Sequence, residues 1–188
     1  MGVRIMEALA DYQRFELIDG VVYDMSPANT RHIFVQGNIF NIIRNFLRGK
    51  RCKVMFEAEV RFDEKNRFIP DISIVCNPAQ IKSSYIDGAP DFVAEILSRS
   101  TKKRDITVKL KTYEKFGVKE YWVVDPKAES VDVYLLKDGQ FELDETYHNV
   151  SDEELAELSE EDRAQERMTL KLSLYDELVI QVRDIFEM

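Results

Sequence analysis

Two apolar segments of the chain, RFIPDISIVC (residues 67–76) and DFVAEILS (91–98), each carry one acidic residue. Both have the length and the β-branched content of buried strands. Asp71 lies in the first segment and Glu95 in the second, and burying a carboxylate is costly unless a partner compensates it. If the two strands are neighbours, the acids converge at one end of the sheet. The two segments therefore predict a sheet and a candidate site together.

The sequence before these strands predicts a hairpin, a helix and a second hairpin. FELIDGVVYDM (15–25) has two strand-like runs around Asp19-Gly20, which is typical of a tight turn. Apolar residues recur at helical spacing from His32 to Phe46. CKVMFEAEVRF (52–62) and the 67–76 strand then form the second hairpin, and residues 77–90 are predicted to be a loop.

The sequence after Glu95 predicts a crossover. A helical segment ending at Gly117 separates DFVAEIL from EYWVVDP (120–126), so these two strands should be parallel. VDVYLL and QFELDETYH predict a C-terminal hairpin. The charged segment 151–167 is either an exposed helix or a mobile excursion, and LKLSL is followed by an amphipathic helix over 175–186. We interpret residues 1–188 as one mixed α/β domain.

Composition sets limits on function. The chain has 188 residues, of which 45% are hydrophobic and 32% charged, with a net charge of −9. This balance excludes a surface that is basic all over but allows local basic patches. Cys52 and Cys76 match no zinc spacing and are interpreted as buried thiols in a reducing compartment, although the fold could still bring them together. No apolar run is long enough to span a bilayer, so a cytoplasmic protein is expected.

A lysine joins the two acids. Strand alternation places Glu95 on one face with Val93 and Leu97. In the following helix, Lys109 falls on the same side as Ile106, Tyr113 and Phe116, and this side should pack on the sheet. Two carboxylates beside a buried lysine suit Mg²⁺ or Mn²⁺ and the hydrolysis of phosphodiester bonds.

The ordered motifs resemble the PD-(D/E)XK nuclease superfamily and, within it, the Uma2 family of restriction-endonuclease-like proteins. The resemblance covers about residues 14–136 and implies a helix, hairpin, strand, helix, strand core. The residues that carry it are ELIDG (16–20), MSP (25–27), His32, PD (70–71), PDFVAEILS (90–98), Asp105, Lys109, Tyr113 and GVKEYWVVDP (117–126).

The resemblance implies roles for individual residues. Asp71, Glu95 and Lys109 would be catalytic, and Asp71, Glu95 and the carbonyl of Ile96 would hold Mg²⁺ or Mn²⁺. The superfamily usually has a lysine two residues after the glutamate, where this chain has Leu97. The family implies that Lys109 replaces it, and the helical spacing selects the same residue. Possible secondary site residues are Glu16, His32 and Asp105, although a lone histidine at the position of His32 is more often a hydrogen-bonded core residue, and the short strand that carries Glu16 gives it a structural explanation too.

Two basic clusters are candidates for contact with nucleic acid. Arg99, Lys102, Lys103 and Arg104 stand at the start of the helix after Glu95, where a phosphate backbone could bind. A second cluster lies at the end of the first helix and comprises Arg44, Arg48, Lys50, Arg51 and Lys53. Both clusters could also be solvated turns. The expected substrate is DNA, and a homodimer is expected because many superfamily members are dimers.

The sequence leaves three alternatives to a metal-dependent endonuclease. One is a nucleic-acid-binding or regulatory module of the same fold whose site is degenerate, as Leu97 suggests. Another is a hydrolase with paired carboxylates such as a glycosidase, which the lack of exposed aromatic residues near either acid disfavours. The third is a structural ion pair between Lys109 and Glu95 or Asp105 that takes no part in catalysis.

Overall fold

The computed structural model describes residues 14–98 and 105–188, and its centre is a six-stranded mixed sheet. In chain order its strands are β3 (Lys53–Phe56), β6 (Ile72–Val75), β8 (Phe92–Ile96), β9 (Glu120–Asp125), β10 (Ser130–Lys137) and β11 (Gln140–His148). The spatial order is β11-β10-β9-β8-β6-β3. The pair β8–β9 is parallel and the other pairs are antiparallel, so the predicted crossover is confirmed.

A smaller sheet contains the N-terminal hairpin. Its strands are β1 (Phe15–Ile18), β2 (Val21–Asp24), β4 (Val60–Arg61), β5 (Arg67–Phe68) and β7 (Ile86–Asp87), in the order β2-β1-β5-β4-β7. Asp19 and Gly20 both have positive φ, as the predicted tight turn requires. The prediction of a plain loop over 77–90 is wrong in part, because Pro78–Gln80 forms a 3₁₀ turn and β7 pairs with β4.

Five α-helices lie within the described residues, namely α1 (Thr30–Phe46), α2 (Leu110–Phe116), α3 (Asp152–Glu157), α4 (Glu160–Gln165) and α5 (Val182–Phe186). The Asn29 side chain caps α1 by accepting a hydrogen bond from His32 N. A π-helical turn, Asp105–Lys109, leads into α2. In the charged segment 151–167 the predicted exposed helix takes the form of α3 and α4. Across the described ranges, no helix combines the length and apolar character needed to cross a membrane.

The central sheet separates two apolar cores, as the alternation in β8 predicts. Phe92, Ala94 and Ile96 pack on one face with α1, α5 and the apolar residues of segment 170–180. Val93 and Leu97 pack on the other face, where Tyr113 of α2 lies. Ile106 was expected in the stripe buried by α2, but it is 40% exposed. The π-helical turn shifts the angular positions of the residues before α2, which accounts for this difference.

Pro70 divides the segment that the sequence indicated as one strand. Residues 69–71 separate β5 from β6, and Asp71 stands immediately before β6 instead of within it. Pro70 has no backbone N–H for the ladder, and the N–H of Ile69 donates to Glu16 Oε1 at 3.1 Å. Asp71 therefore lies at the end of the sheet, where its carboxylate can bend toward β8.

The prediction of an amphipathic helix over 175–186 is wrong for most of its length. Tyr175–Gln181 forms strand β13, which pairs with β12 (Thr169–Leu172), and only Val182–Phe186 is helical. Leu178, Ile180 and Val182 are buried, so the alternating pattern of a strand fits this segment as well as the helical pattern did. Pairing with β12 selects the strand, because the paired β13 can then cover the face of the central sheet on which α1 packs.

The two cysteines are joined, contrary to the prediction of two separate thiols. Lys53 in β3 pairs with Val75 in β6, so Cys52 and Cys76 stand opposite each other at the next position of the same ladder. They form a disulfide whose Cα atoms are 3.9 Å apart. The chain separation of 24 residues gave no sign of this pairing, which follows from the register of two neighbouring strands.

Removing this disulfide should destabilise the fold. In the chain-entropy description, a cross-link over 24 residues restricts the unfolded chain by about 3.5 kcal/mol. We expect the Cys52→Ala/Cys76→Ala variant to lose about this much free energy of unfolding in urea denaturation. Thiol titration of the denatured wild type should find no free thiol before reduction and two afterwards. Two free thiols in the unreduced protein would contradict the pairing.

Glu120 attaches the hairpin formed by β12 and β13 to the central sheet. Its Oε1 accepts a hydrogen bond from Trp122 Nε1 at 2.6 Å, and its Oε2 accepts from Ser173 N at 2.9 Å and Ser173 Oγ at 2.5 Å. The side chain is fully buried. Burial raises the pKa of Glu120 above its ordinary value, and the hydrogen bonds from Ser173 and Trp122 oppose this shift.

The raised pKa of Glu120 makes stability depend on pH with a defined sign. Above about pH 4.5 the unfolded chain loses a proton that the folded chain retains, so the free energy of unfolding falls as the pH rises through the folded pKa. Urea denaturation between about pH 4 and pH 8 should show this fall in wild type and a smaller fall in Glu120→Gln. An equal fall in both proteins would contradict the assignment.

Candidate active site

Asp71 and Glu95 are brought together by the pairing of β6 with β8. Ile72 pairs with Ala94 in this antiparallel ladder, so the next position places Asp71 opposite Glu95. Oδ2 of Asp71 accepts a hydrogen bond from the backbone N–H of Ile96 at 2.6 Å. Asp71 is 13% exposed and Glu95 is 4% exposed at the side chain. One acid therefore reaches the surface while the other is enclosed.

Lys109 lies between two glutamates. Its Nζ is 2.8 Å from Glu16 Oε1 and 2.9 Å from Glu95 Oε1. All three side chains are 4% exposed or less. The structure thus joins Glu95 and Lys109, which the sequence had placed on facing elements, and adds Glu16 from β1. Two carboxylates around one ammonium leave this cluster with a net negative charge.

Tyr113 is a contact of the site that the sequence reasoning missed. Its hydroxyl donates to Glu95 Oε1 at 2.6 Å, so the same oxygen receives both Tyr113 and Lys109. Burial, followed by the charge of Glu95, raises the pKa of Tyr113 well above its ordinary value, so the phenol stays protonated and able to donate. The sequence did contain one indication of this contact, because Tyr113 lies four residues after Lys109 on the same side of the helix.

Replacing Tyr113 by phenylalanine should separate its hydrogen bond from its packing. The ring stays, but Glu95 loses a donor, and a hydrogen bond to a charged group is worth about 1.5–3 kcal/mol. We expect Tyr113→Phe to lower the free energy of unfolding by about that amount in urea denaturation. Tyr134→Phe is the matched control, because Tyr134 packs at the edge of the same core and is half-buried. Equal losses in the two variants would contradict a specific role for the Tyr113 hydroxyl.

The N-terminal end of α1 contacts Asp71. Nε2 of His32 lies 3.1 Å from Asp71 Oδ1, and Gln36 Nε2 donates to the Asp71 carbonyl at 3.0 Å. His32 and Gln36 are four residues apart and both are buried. The structure thus places His32 beside a predicted metal ligand, as the family pattern implied. The contacts from His32 and Ile96 fix the orientation of the Asp71 carboxylate. Its Oδ1 faces α1 and its Oδ2 faces β8.

Some predicted residues cannot be related to this cluster. Arg99, Lys102, Lys103 and Arg104 lie outside the described residues. Asp105 begins the π-helical turn that leads into α2. The cluster itself therefore consists of Glu16, His32, Asp71, Glu95, Lys109 and Tyr113.

The residues present fit a hard divalent cation. Within the described ranges, no three His, Cys, Asp or Glu side chains form a group that could ligate a metal by themselves. Mg²⁺ does not need such a cage, because it is usually held by one or two carboxylates and keeps several waters. Asp71 and Glu95 offer two carboxylates, and Ile96 offers a carbonyl next to them. The negative charge of the cluster also favours a cation.

Lys109 is placed to donate hydrogen bonds to both glutamates. Its Nζ lies within 3 Å of one carboxylate oxygen of Glu16 and one of Glu95. A fixed ammonium beside Glu95 can stabilise negative charge on a phosphate that reaches the site. The arrangement can thus hold a cation, orient its ligands and stabilise an anionic transition state.

Comparison with known proteins gives three similarities. Residues 4–176 match the model of the Uma2 family, described as "Putative restriction endonuclease". The uncharacterized protein slr1290 of Synechocystis sp. is 26% identical over 125 residues, which cover 65% of this chain and 66% of that protein. The chain therefore spans about two thirds of the length of that relative.

The fold has a counterpart among solved structures. The crystal structure of "a putative nuclease belonging to DUF820" from Anabaena variabilis superposes with a TM-score of 0.71. The match covers 93% of this chain and 90% of that chain, at 20% sequence identity. At this identity the similarity establishes the shared mixed α/β fold.

Proposed function

The chain belongs to the Uma2 family, and on that premise we propose that it is a divalent-metal-dependent nuclease that hydrolyses phosphodiester bonds in DNA. The observation that carries the proposal is the cluster in which Asp71 stands opposite Glu95 while Lys109 donates to Glu95. The restriction-endonuclease description of the family supports the same reaction.

Each residue of the cluster has a role in this proposal. Asp71, Glu95 and the Ile96 carbonyl would hold Mg²⁺ or Mn²⁺, which supplies positive charge that stabilises phosphate oxygens and makes a bound water more acidic. Lys109 keeps an ammonium beside Glu95 and stabilises the charge that develops on the phosphate. Tyr113 and His32 orient the two carboxylates through the hydrogen bonds they form with them.

Isothermal titration of Mn²⁺ and Mg²⁺ tests the site without a known substrate. We expect saturable binding to wild type that is lost in Asp71→Ala and in Glu95→Gln, because both carboxylates are required. Asp24→Ala is the control, since Asp24 is an exposed acid of β2 outside the cluster. Binding that survives in both cluster variants would overturn the proposed metal site.

A catalytically degenerate nucleic-acid-binding module is the second candidate. The observation that favours it is Leu97, a buried residue of the apolar core at the position where the superfamily motif usually has lysine. Such a module would bind nucleic acid equally with metal or with chelator and would produce no cleavage. Metal-dependent cleavage that disappears in Asp71→Ala would exclude it.

A further inference from the structure

The outer face of α1 combines apolar and basic side chains. At about 100° per residue, Ile33, Phe34 and Arg44 fall within an arc of about 100° around the helix axis, and Arg48 lies in the turn that follows the helix. Ile33 is 55% exposed and Phe34 is 51% exposed. Single exposed apolar residues are common on protein surfaces, so this pair gains its meaning from the aromatic and basic residues that lie beside it.

The apolar end of this face adjoins the candidate site. Phe56, 57% exposed, ends the edge strand β3 and packs edge-on against Phe40 of α1 with ring centroids 4.9 Å apart. It pairs with Ile72, the residue after Asp71, and the N–H of Glu57 donates to the Asp71 carbonyl at 3.2 Å. Ile33 directly follows His32, the partner of Asp71.

The other end of the same surface is basic. Arg44, Arg48, Arg51 and Lys53 are exposed, and in the described part of the chain none of them forms an ion pair. Arg44 is in the last turn of α1 and Arg48 lies in the turn after it, so like charges are concentrated over a short stretch of chain and repel. The helix dipole favours a cation in the last turn of α1, which accounts for Arg44 but not for Arg51 or Lys53. A polyanion would relieve the repulsion.

Charge is segregated across the central sheet. The basic end lies beside β3, one edge of the sheet, where among the described residues Glu177 pairs with Lys50 alone. At the opposite edge β11 carries Glu142, Asp144 and Glu145, which Lys137 and Arg167 offset in part. In a chain with net charge −9, the β3 edge is therefore the more favourable of the two for a polyanion.

We propose that the outer face of α1 and the edge strand β3 bind an unpaired nucleic-acid strand and lead it to the candidate site. Its phosphates contact Arg44, Arg48, Arg51 and Lys53, and its bases stack on Phe34 and Phe56. Exposed aromatic rings in line with a basic groove are how proteins hold single strands. This inference rests on the proposed function and adds its substrate class. The helix of 17 residues, about 25 Å long, accommodates several nucleotides.

Fluorescence anisotropy with a labelled oligothymidylate of about 20 nucleotides, in EDTA, tests binding independently of cleavage. Each phosphate contact contributes about 0.7 to the slope of log K against log salt for a single strand. Arg44→Ala/Arg48→Ala should therefore reduce the slope by about 1.4. Lys127→Ala/Lys171→Ala removes the same charge from exposed positions elsewhere and is expected to leave the slope unchanged.

Variants of Phe34 and Phe56 test the proposed stacking of bases on these two rings. Phe34→Ala and Phe56→Leu should each weaken oligothymidylate binding about 5-fold or more, because stacking is worth about 1–3 kcal/mol per base. Phe34→Tyr keeps a ring and should bind as wild type does. Affinity for a blunt duplex of the same length should change less than 2-fold in the two ring-loss variants. Repeating the titration with oligouridylate distinguishes DNA from RNA.

The outcomes separate this inference from the proposed function. Salt-dependent binding in EDTA that the variants weaken as stated supports the inference even if no cleavage occurs, in which case the proposed nuclease function fails alone. Cleavage with unchanged binding in all the variants overturns the inference and leaves the nuclease. Sedimentation showing a dimer that Phe34→Ala dissociates, with no effect on nucleic acid, would instead assign this face to a second copy of the chain.

Discussion

Replacing Lys109 by methionine is expected to lower the free energy of unfolding by about 3–5 kcal/mol, because it leaves Glu16 and Glu95 buried without their cation. Methionine has a similar length, so little packing is lost. Urea denaturation gives the loss directly. The double variant Glu16→Gln/Lys109→Met also removes one of the two buried carboxylates that lack a cation. It should recover part of the lost free energy of unfolding, which identifies charge as the cause.

The matched control for this prediction is Lys119→Met. Lys119 pairs with Asp91 at 2.7 Å, but its side chain is 63% exposed, and pairs at the surface contribute about 0–1 kcal/mol. If Lys109→Met lowers the free energy of unfolding as little as Lys119→Met does, the buried cluster does not depend on this cation. It would also remove the main reason to expect an ordered Glu95 carboxylate.

Under the proposed function, replacing Asp71 by alanine is expected to reduce metal-dependent cleavage of DNA by about 10²–10³-fold, since the stabilisation that a metal ion gives to phosphate oxygens is worth several kcal/mol and each 1.36 kcal/mol is tenfold in rate. The substitution also removes the acceptor for Ile96 N–H and His32. Single-turnover assays with excess protein and Mn²⁺ measure the chemical step, and the melting temperature shows whether the variant is folded.

Two comparisons make the Asp71 result specific. Asp24→Ala should cleave at the wild-type rate, because this exposed acid of β2 lies outside the cluster. His32→Ala should give an intermediate rate, because it leaves the Asp71 carboxylate in place but removes its hydrogen bond from α1. A folded Asp71→Ala variant that cleaves at the wild-type rate would contradict the proposed mechanism.

Local patterns predicted much of the candidate site. The alternation in residues 92–97 placed Glu95 among apolar neighbours on one face, and the two cores of the structure confirm it. Helical spacing placed Lys109 and Tyr113 on the buried side. These predictions hold because side-chain direction in a strand or helix depends only on nearby residues. The roles of the same residues in catalysis stay predictions.

The sequence by itself determined the mixed α/β architecture, the parallel pair around the crossover, and a buried lysine that needs an anionic partner. Only the tertiary structure decided that Glu16 joins Lys109, that His32 orients Asp71 across 39 residues, that Cys52 meets Cys76, and that Tyr175–Gln181 is a strand. These features depend on register and on which elements pack together. A pattern read along the chain does not fix the register between distant segments. Burial against a partner element also selects between two periods that the sequence allows equally.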